Sequence, residues 1–202
     1  MSWTPLGPAS RFAIRDNMSV PLYMRLLGDS WTQMAEPLRR AHATHGVVRA
    51  HGTLRVEHGR YPVARGLARL LGLPRPSPAA DTRLTVTAQD GAERWARVIN
   101  GTELDSRQYA TPNFNLAERF GALEFQFQLV PHDGNLIYMQ RQAAVVLGPV
   151  RVRIPAWCAP RVEAREEPAG PAGVRVEVGV SLPGIGPLIA YAGIIELEEA
   201  RG

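Results

Sequence analysis

A chain of 202 residues with 45% hydrophobic content and a formal net charge of +4 can bury one sizeable core without disulfides or a structural metal. All 23 basic residues are arginine, which excludes a Schiff-base lysine and the lysine-dependent phosphate loop, because both need an amine. The arginines run from Arg11 to Arg201 interleaved with acids, the pattern of a solvated surface rather than a nucleic-acid stripe, and the single cysteine, Cys158, excludes an intramolecular disulfide framework and a thiolate zinc cluster.

Residues 1–20 carry Pro5, Gly7 and Pro8 without a period and read as an extended arm whose Trp3 and Phe12 pack on the body. The arm lacks the apolar core of a signal peptide, and no eighteen-residue apolar run offers a membrane span, so a cytoplasmic chain is expected. Residues 21–198 read as one β-rich domain. Its front is helical: Pro21 to Leu27 ends at Gly28, and a second helix runs from Pro37 through His42. Leu22, Leu26, Leu27, Trp31, Met34 and Leu38 form the buried stripe of this cover. Val48 to Val56 then alternates as a strand. After it, Pro62 starts a basic amphipathic helix with Val63, Leu67, Leu70 and Leu71 on one side. Such a helix would lie on a membrane surface or close a lipid-like pocket; the plainer expectation is that it packs those residues over the sheet. LPRPSPAAD reads as a Pro-rich connection.

Strands follow in succession. Thr82 to Ala88 and Arg94 to Ile99 flank the turn QDGAE, and Thr102 to Tyr109 follows Asn100-Gly101, a strong hairpin signal. In the stretch from Glu118 to Arg141, Leu123, Phe125, Phe127 and Leu129 alternate with Glu124, Gln126 and Gln128, which predicts one core face and one solvated face. Pro131 to Asn135 turns the chain into Leu136 to Met139. Ala143 to Leu147, Val150 to Ile154, Arg161 to Glu167 and Val174 to Val180 read as further strands, with Glu166 to Gly173 as a surface loop. Leu188 to Leu197 closes the series, and Gly193 permits a bend or bulge. Nine or ten strands with helices near the front predict an α+β, mainly β fold: a curled antiparallel barrel or half-barrel under a helical cover.

No catalytic signature emerges. His42, His45, His51 and His58 lack a carboxylate or cysteine that would complete a ligand pattern, so no metal is expected. Gly184 and Gly186 are only a fragment of a dinucleotide fingerprint, Gly-x-Ser-x-Gly is absent, and Cys158 reads as a small packed residue. No cofactor is expected. Among polar residues, Glu118, Arg119, Tyr138, Arg141 and Tyr191 stand out, because an inward tyrosine needs a partner and an inward arginine a counter-charge; the plainer reading is a structural network at the sheet edge.

The pieces Leu27-Gly28…Trp31, Arg40…His42, Trp95-x-Arg97, Ser106, Glu118-Arg119-Phe120-Gly121, Ile154-Pro155…Pro160 and Leu182-Pro183…Gly186…Tyr191-x-Gly193 together resemble the bacterial domain-of-unknown-function family four-one-six-six. The likeness spans residues 22–197, with Ile99 standing where an aromatic is expected. The resemblance implies a domain that stands alone or follows a saccharopine-dehydrogenase-like or epimerase-like domain, and it implies no reaction.

Two functions fit these features. One is binding of an apolar or lipid-like small molecule in a barrel cavity lined by Trp95, Phe125, Phe127, Met139, Arg141 and Tyr191. The other is a cofactor-free cyclase or isomerase acting on an apolar, polyketide-like substrate, with Glu118, Arg119, His42 and Tyr138 as candidate catalytic groups. A third reading is an interaction domain that docks a partner enzyme or a second copy through a sheet edge.

Overall fold

Period-two alternation dominates the chain beyond residue 46, and a computed structural model, which describes residues 20–198, folds that pattern into eleven antiparallel strands. They are β1 (Val47–His58), β2 (Ser77–Gln89), β3 (Ala92–Ile99), β4 (Thr102–Ala110), β5 (Leu116–Phe120), β6 (Leu123–His132), β7 (Asn135–Leu147), β8 (Val150–Ile154), β9 (Arg161–Pro168), β10 (Gly173–Leu182) and β11 (Gly186–Leu197). The order β6-β5-β4-β3-β2-β1-β11-β10-β9-β7-β8, with a further β6–β7 pairing, closes ten strands into a barrel and leaves β8 alongside β7. Except for Val20, the arm expected over residues 1–20 lies outside the described residues.

Turn chemistry sets the register. Asp90-Gly91, Asn100-Gly101 and Asp133-Gly134 each place two successive residues at positive φ (49° and 81° at Asn100-Gly101), the conformation that matches the twist of a tight hairpin. Between β1 and β11 the chains approach so closely that a Cβ on Gly193 would lie 2.1 Å from the Thr53 carbonyl oxygen. Close approach, rather than a register break, is what that glycine serves, since the β1–β11 register runs unshifted.

The two barrel ends are closed differently. Helix α1 (Leu22–Leu27), a 3-10 turn (Gly28–Gln33) and α2 (Glu36–His42) plug one end. There the Arg25 guanidinium donates to the Gly91 carbonyl, the Ala35 amide to that of Gly134, and Arg40 to that of Pro171. Leu22, Tyr23 and Leu38 are buried in this plug, each contributing roughly 1.5–3 kcal/mol of apolar burial. Helix α3 (Pro62–Leu70) follows β1 at the opposite end and packs on β11 and β1. Its orientation differs from the sequence expectation: Ala64 and Ala68 are buried, whereas Val63, Leu70 and Leu71 are 65%, 82% and 52% exposed. Small residues four apart let the helix lie close to the strand ends, and that contact selects the inward face.

Other expectations also shift. β2 begins at Ser77, inside the supposed connection, because Pro78 falls where the β1–β2 register slips between Leu54 and Val56 and the ladder needs no amide. Glu124 and Gln126, expected in solvent, are buried; Glu124 accepts from Tyr109, Gln126 and Arg151, and Gln142 donates to Gln126. Glu166, expected both at the end of the strand Arg161 to Glu167 and at the start of the following loop, belongs to β9. Cys158 is exposed in the turn after β8, its thiol facing the Pro155 carbonyl at 3.4 Å. The barrel closes between β7 and β9 through only four residue pairs, Leu136–Glu166 to Met139–Glu163. Beyond them the Gln140 side chain spans the gap, donating to the Pro160 carbonyl (2.8 Å) and accepting from the Val162 amide (2.6 Å).

Candidate functional site

Inward-facing residues of all these strands except β8 leave a cavity of about 610 Å³ inside the barrel. Its wall is mainly apolar, including Leu54, Leu84, Val86, Phe125, Phe127, Val176 and Ile189. The cavity runs from His42, at the end of α2, to Leu67 of α3 and Leu71 just after it.

Two polar groups interrupt this wall. In the first, β9 alternates Val162, Ala164 and Glu166 inward, so a carboxylate sits where an aliphatic would be ordinary. Glu166 Oε2 lies 2.6 Å from His42 Nε2, and Glu166 Oε1 accepts from the Tyr138 hydroxyl at 2.8 Å. The Tyr23 hydroxyl lies 3.2 Å from that of Tyr138 and donates to Gln108 Oε1 at 2.8 Å. The His42 ring stacks on Tyr23 with centroids 3.9 Å apart. Burial opposes both charges of the His42–Glu166 pair, yet each partner shifts the other toward its charged form. Burial lowers the imidazole pKa, but the Glu166 charge and hydrogen bond outweigh it and leave His42 raised. Burial likewise raises the Glu166 carboxyl, but the charge and hydrogen bond of His42, the Tyr138 hydroxyl and the charge of Arg97 hold it below its ordinary value. Burial and then Glu166 push Tyr138 well up, so its hydroxyl remains a proton donor.

The second group is built on β3, β4 and β5. Arg97 donates to Ser106 Oγ (2.9 Å) and Glu118 Oε1 (3.0 Å), and Ser106 donates to the same carboxylate oxygen at 2.7 Å. The guanidinium lies over the Trp95 ring, 4.9 Å from its centroid, and 5.9 Å from that of Phe120, within reach of the ring quadrupoles. Trp95 in turn donates to Glu93 Oε2 at 3.0 Å, and burial pushes the Glu93 carboxyl up against that bond. Among the described residues, His42 Nδ1 and Glu93 Oε1 are buried without a hydrogen-bond partner.

Of the residues singled out from sequence, His42, Glu118, Tyr138, Trp95, Phe125, Phe127 and Tyr191 all line the cavity. Arg119, Met139 and Arg141 do not. Strand alternation turns Arg119 outward from Glu118, where it donates to the carbonyls of Gly121 and Val146. Met139 and Arg141 flank Gln140 on the outer face and line a groove of about 1020 Å³ over the β7–β9 gap. Sequence reasoning gave no catalytic or binding role to Glu166, Arg97, Tyr23 or Gln108. The inward alternation of β9 would have exposed Glu166 and that of β3 Arg97, beside Trp95 and Ile99, whereas the pairing of Tyr23 with Gln108 across 85 positions leaves no local signal.

Chemically, the wall offers a hydrogen-bonded histidine–carboxylate pair that can hold or release a proton, and a largely buried guanidinium with donors beyond the two in use. Among the described residues no three His, Cys, Asp or Glu side chains gather as a metal set, and no helix is long and apolar enough to cross a membrane. Comparison with protein families matches residues 34–195 to a family described as a domain of unknown function (DUF4166). Neither the curated proteins nor the solved structures give a match.

Proposed function

The chain belongs to the DUF4166 family, and from that premise we propose that its barrel binds an apolar or lipid-like small molecule. The observation that carries this reading is the largely apolar cavity of about 610 Å³, plugged at the α1–α2 end. Such a volume falls in the range of roughly 300–1,000 Å³ that takes small organic ligands. The apolar wall supplies affinity, and Arg97 and the His42–Glu166 pair orient one polar group of the ligand.

N-phenyl-1-naphthylamine fluorescence tests this directly. The wild-type chain takes up the probe saturably, and Val176→Trp, which fills the cavity from β10, loses uptake while keeping the wild-type circular dichroism. Absence of saturable uptake by the wild-type chain refutes the reading.

A second reading is a cofactor-free cyclase or isomerase acting on a polyketide-like substrate in the same cavity. The Tyr138–Glu166–His42 chain, with contacts of 2.8 and 2.6 Å, favours it: the pair would exchange a proton with the substrate while Arg97 stabilises a developing oxyanion. Conversion of a linear poly-β-ketone by the wild-type chain, lost in Glu166→Gln with probe uptake unchanged, is the expected result. Equal spectra before and after incubation with the wild-type chain exclude it.

A further inference from the structure

Helix α3 divides its side chains three ways. Ala64 and Ala68 are buried, where the helix meets β11 and β1. Leu67 and Leu71 line the cavity. Val63 and Leu70, one heptad apart, face outward, and Tyr61 beside them is 64% exposed. Leu71 both lines the cavity and is half exposed, so the apolar outer face of α3 is continuous with the cavity at this end of the barrel. A helix that merely covered a core would not leave Val63 and Leu70 65% and 82% exposed while burying Ala64 and Ala68.

The charge around that face has one sign. Arg60, Arg65, Arg69 and Arg75 are all exposed, and no acidic residue occurs between Glu57 and Asp81. Among the described residues none of these four arginines makes an ion pair. Exposed aliphatic and tyrosyl side chains on a segment whose exposed charges are all unpaired cations match what an interfacial helix presents to anionic headgroups. A nine-residue helix would lie on such a surface, not cross it.

We propose that α3 docks this end of the barrel on an anionic membrane surface and that apolar ligand passes between bilayer and cavity beside Leu67 and Leu71. The proposal rests on the ligand-binding reading for its purpose, but not for its test. The full chain is mixed at low salt with vesicles of phosphatidylglycerol and phosphatidylcholine in equal parts, or of phosphatidylcholine alone, and recovered by flotation. It is expected to float with the anionic vesicles and to be released as ionic strength rises.

Arg65→Gln/Arg69→Gln is expected to weaken association about thirty-fold, from two cations at a headgroup surface, and Val63→Ser/Leu70→Ser to weaken it as well. All four side chains are exposed and none lines the cavity, so both double variants retain the wild-type circular dichroism and uptake of N-phenyl-1-naphthylamine. A wild-type chain that takes up the probe but ignores anionic vesicles overturns the docking and leaves the cavity reading intact. Vesicle association without probe uptake overturns the cavity reading and supports the docking surface. A dimer in sedimentation velocity that Val63→Ser/Leu70→Ser dissolves, without vesicle association in the wild type, assigns the face to a second copy and overturns the proposal.

Discussion

Replacing His42 with alanine strands the Glu166 carboxylate in the barrel wall. The imidazole is buried, sits 2.6 Å from Glu166 and stacks on Tyr23 at 3.9 Å. Breaking a buried ion pair by removing one partner costs about 3–5 kcal/mol, because the remaining charge keeps its desolvation penalty. For a domain of this size that corresponds to a fall in Tm of roughly 6–20 °C. Urea unfolding of wild type, His42→Ala, Glu166→Ala and the double variant, followed by tryptophan fluorescence, forms a cycle in which the double loses much less than the sum of the singles.

The cost depends on pH in a defined sense. His42 is raised above its ordinary 6.5, so its contribution is full below that value and fades as pH climbs through the raised pKa. Glu166 is lowered below its ordinary 4.5, so its contribution is full above that value and fades as pH falls through the lowered pKa. The deficit of His42→Ala is therefore greatest between about pH 4.5 and 6.5 and narrows on both sides. A deficit under about 1 kcal/mol in that window, or one that is flat with pH, would refute the ion pair.

Three further substitutions probe other features. Glu93→Gln keeps the Trp95 hydrogen bond at its carbonyl oxygen but removes a carboxyl that burial holds at a raised pKa; because the folded state then binds the extra proton, wild-type stability declines as pH rises above about 4.5. The variant is expected to gain up to about 1 kcal/mol at neutral pH and nothing in acid, read by urea midpoints. Gly193→Ala drives a Cβ to 2.1 Å from Thr53 O and is expected to cost about 1–3 kcal/mol or more, whereas Gly66→Ala in α3, with nothing within 4 Å, gains about 0.5–1 kcal/mol; equal effects at the two positions would contradict the close approach.

Local signals carried the barrel. Asn100-Gly101 and Asp133-Gly134 can make only a few turns, and the alternation from Leu123 to Leu129 admits one inward face, so antiparallel neighbours were legible from residues adjacent in the chain. The closed end of the site was not. Glu166 pairs with His42 across 124 positions, and its place beside Glu167-Pro168 resembles a loop unless Val162 and Ala164 are counted with it. Burial of Glu124 and Gln126 depends on Arg151, Tyr109 and Gln142, contributed by other strands. The facing of α3 defied periodicity for a different reason: bulk marks a residue as apolar, but small size decides which side of a helix can approach a strand end.

Gln140 gives the cylinder a clasp. Four backbone pairs and one side-chain amide join β7 to β9, while β1 and β11 share nine. Cooperative opening of a protein begins where few rungs hold two bodies together, so this line, like the four pairs between β4 and β5, is a place where the barrel is expected to open before β1 and β11 part. The amide hydrogen of Val162, held by Gln140, accordingly exchanges with solvent ahead of those in β1. The cavity thus possesses a flank as well as a mouth, held by four rungs and one carboxamide.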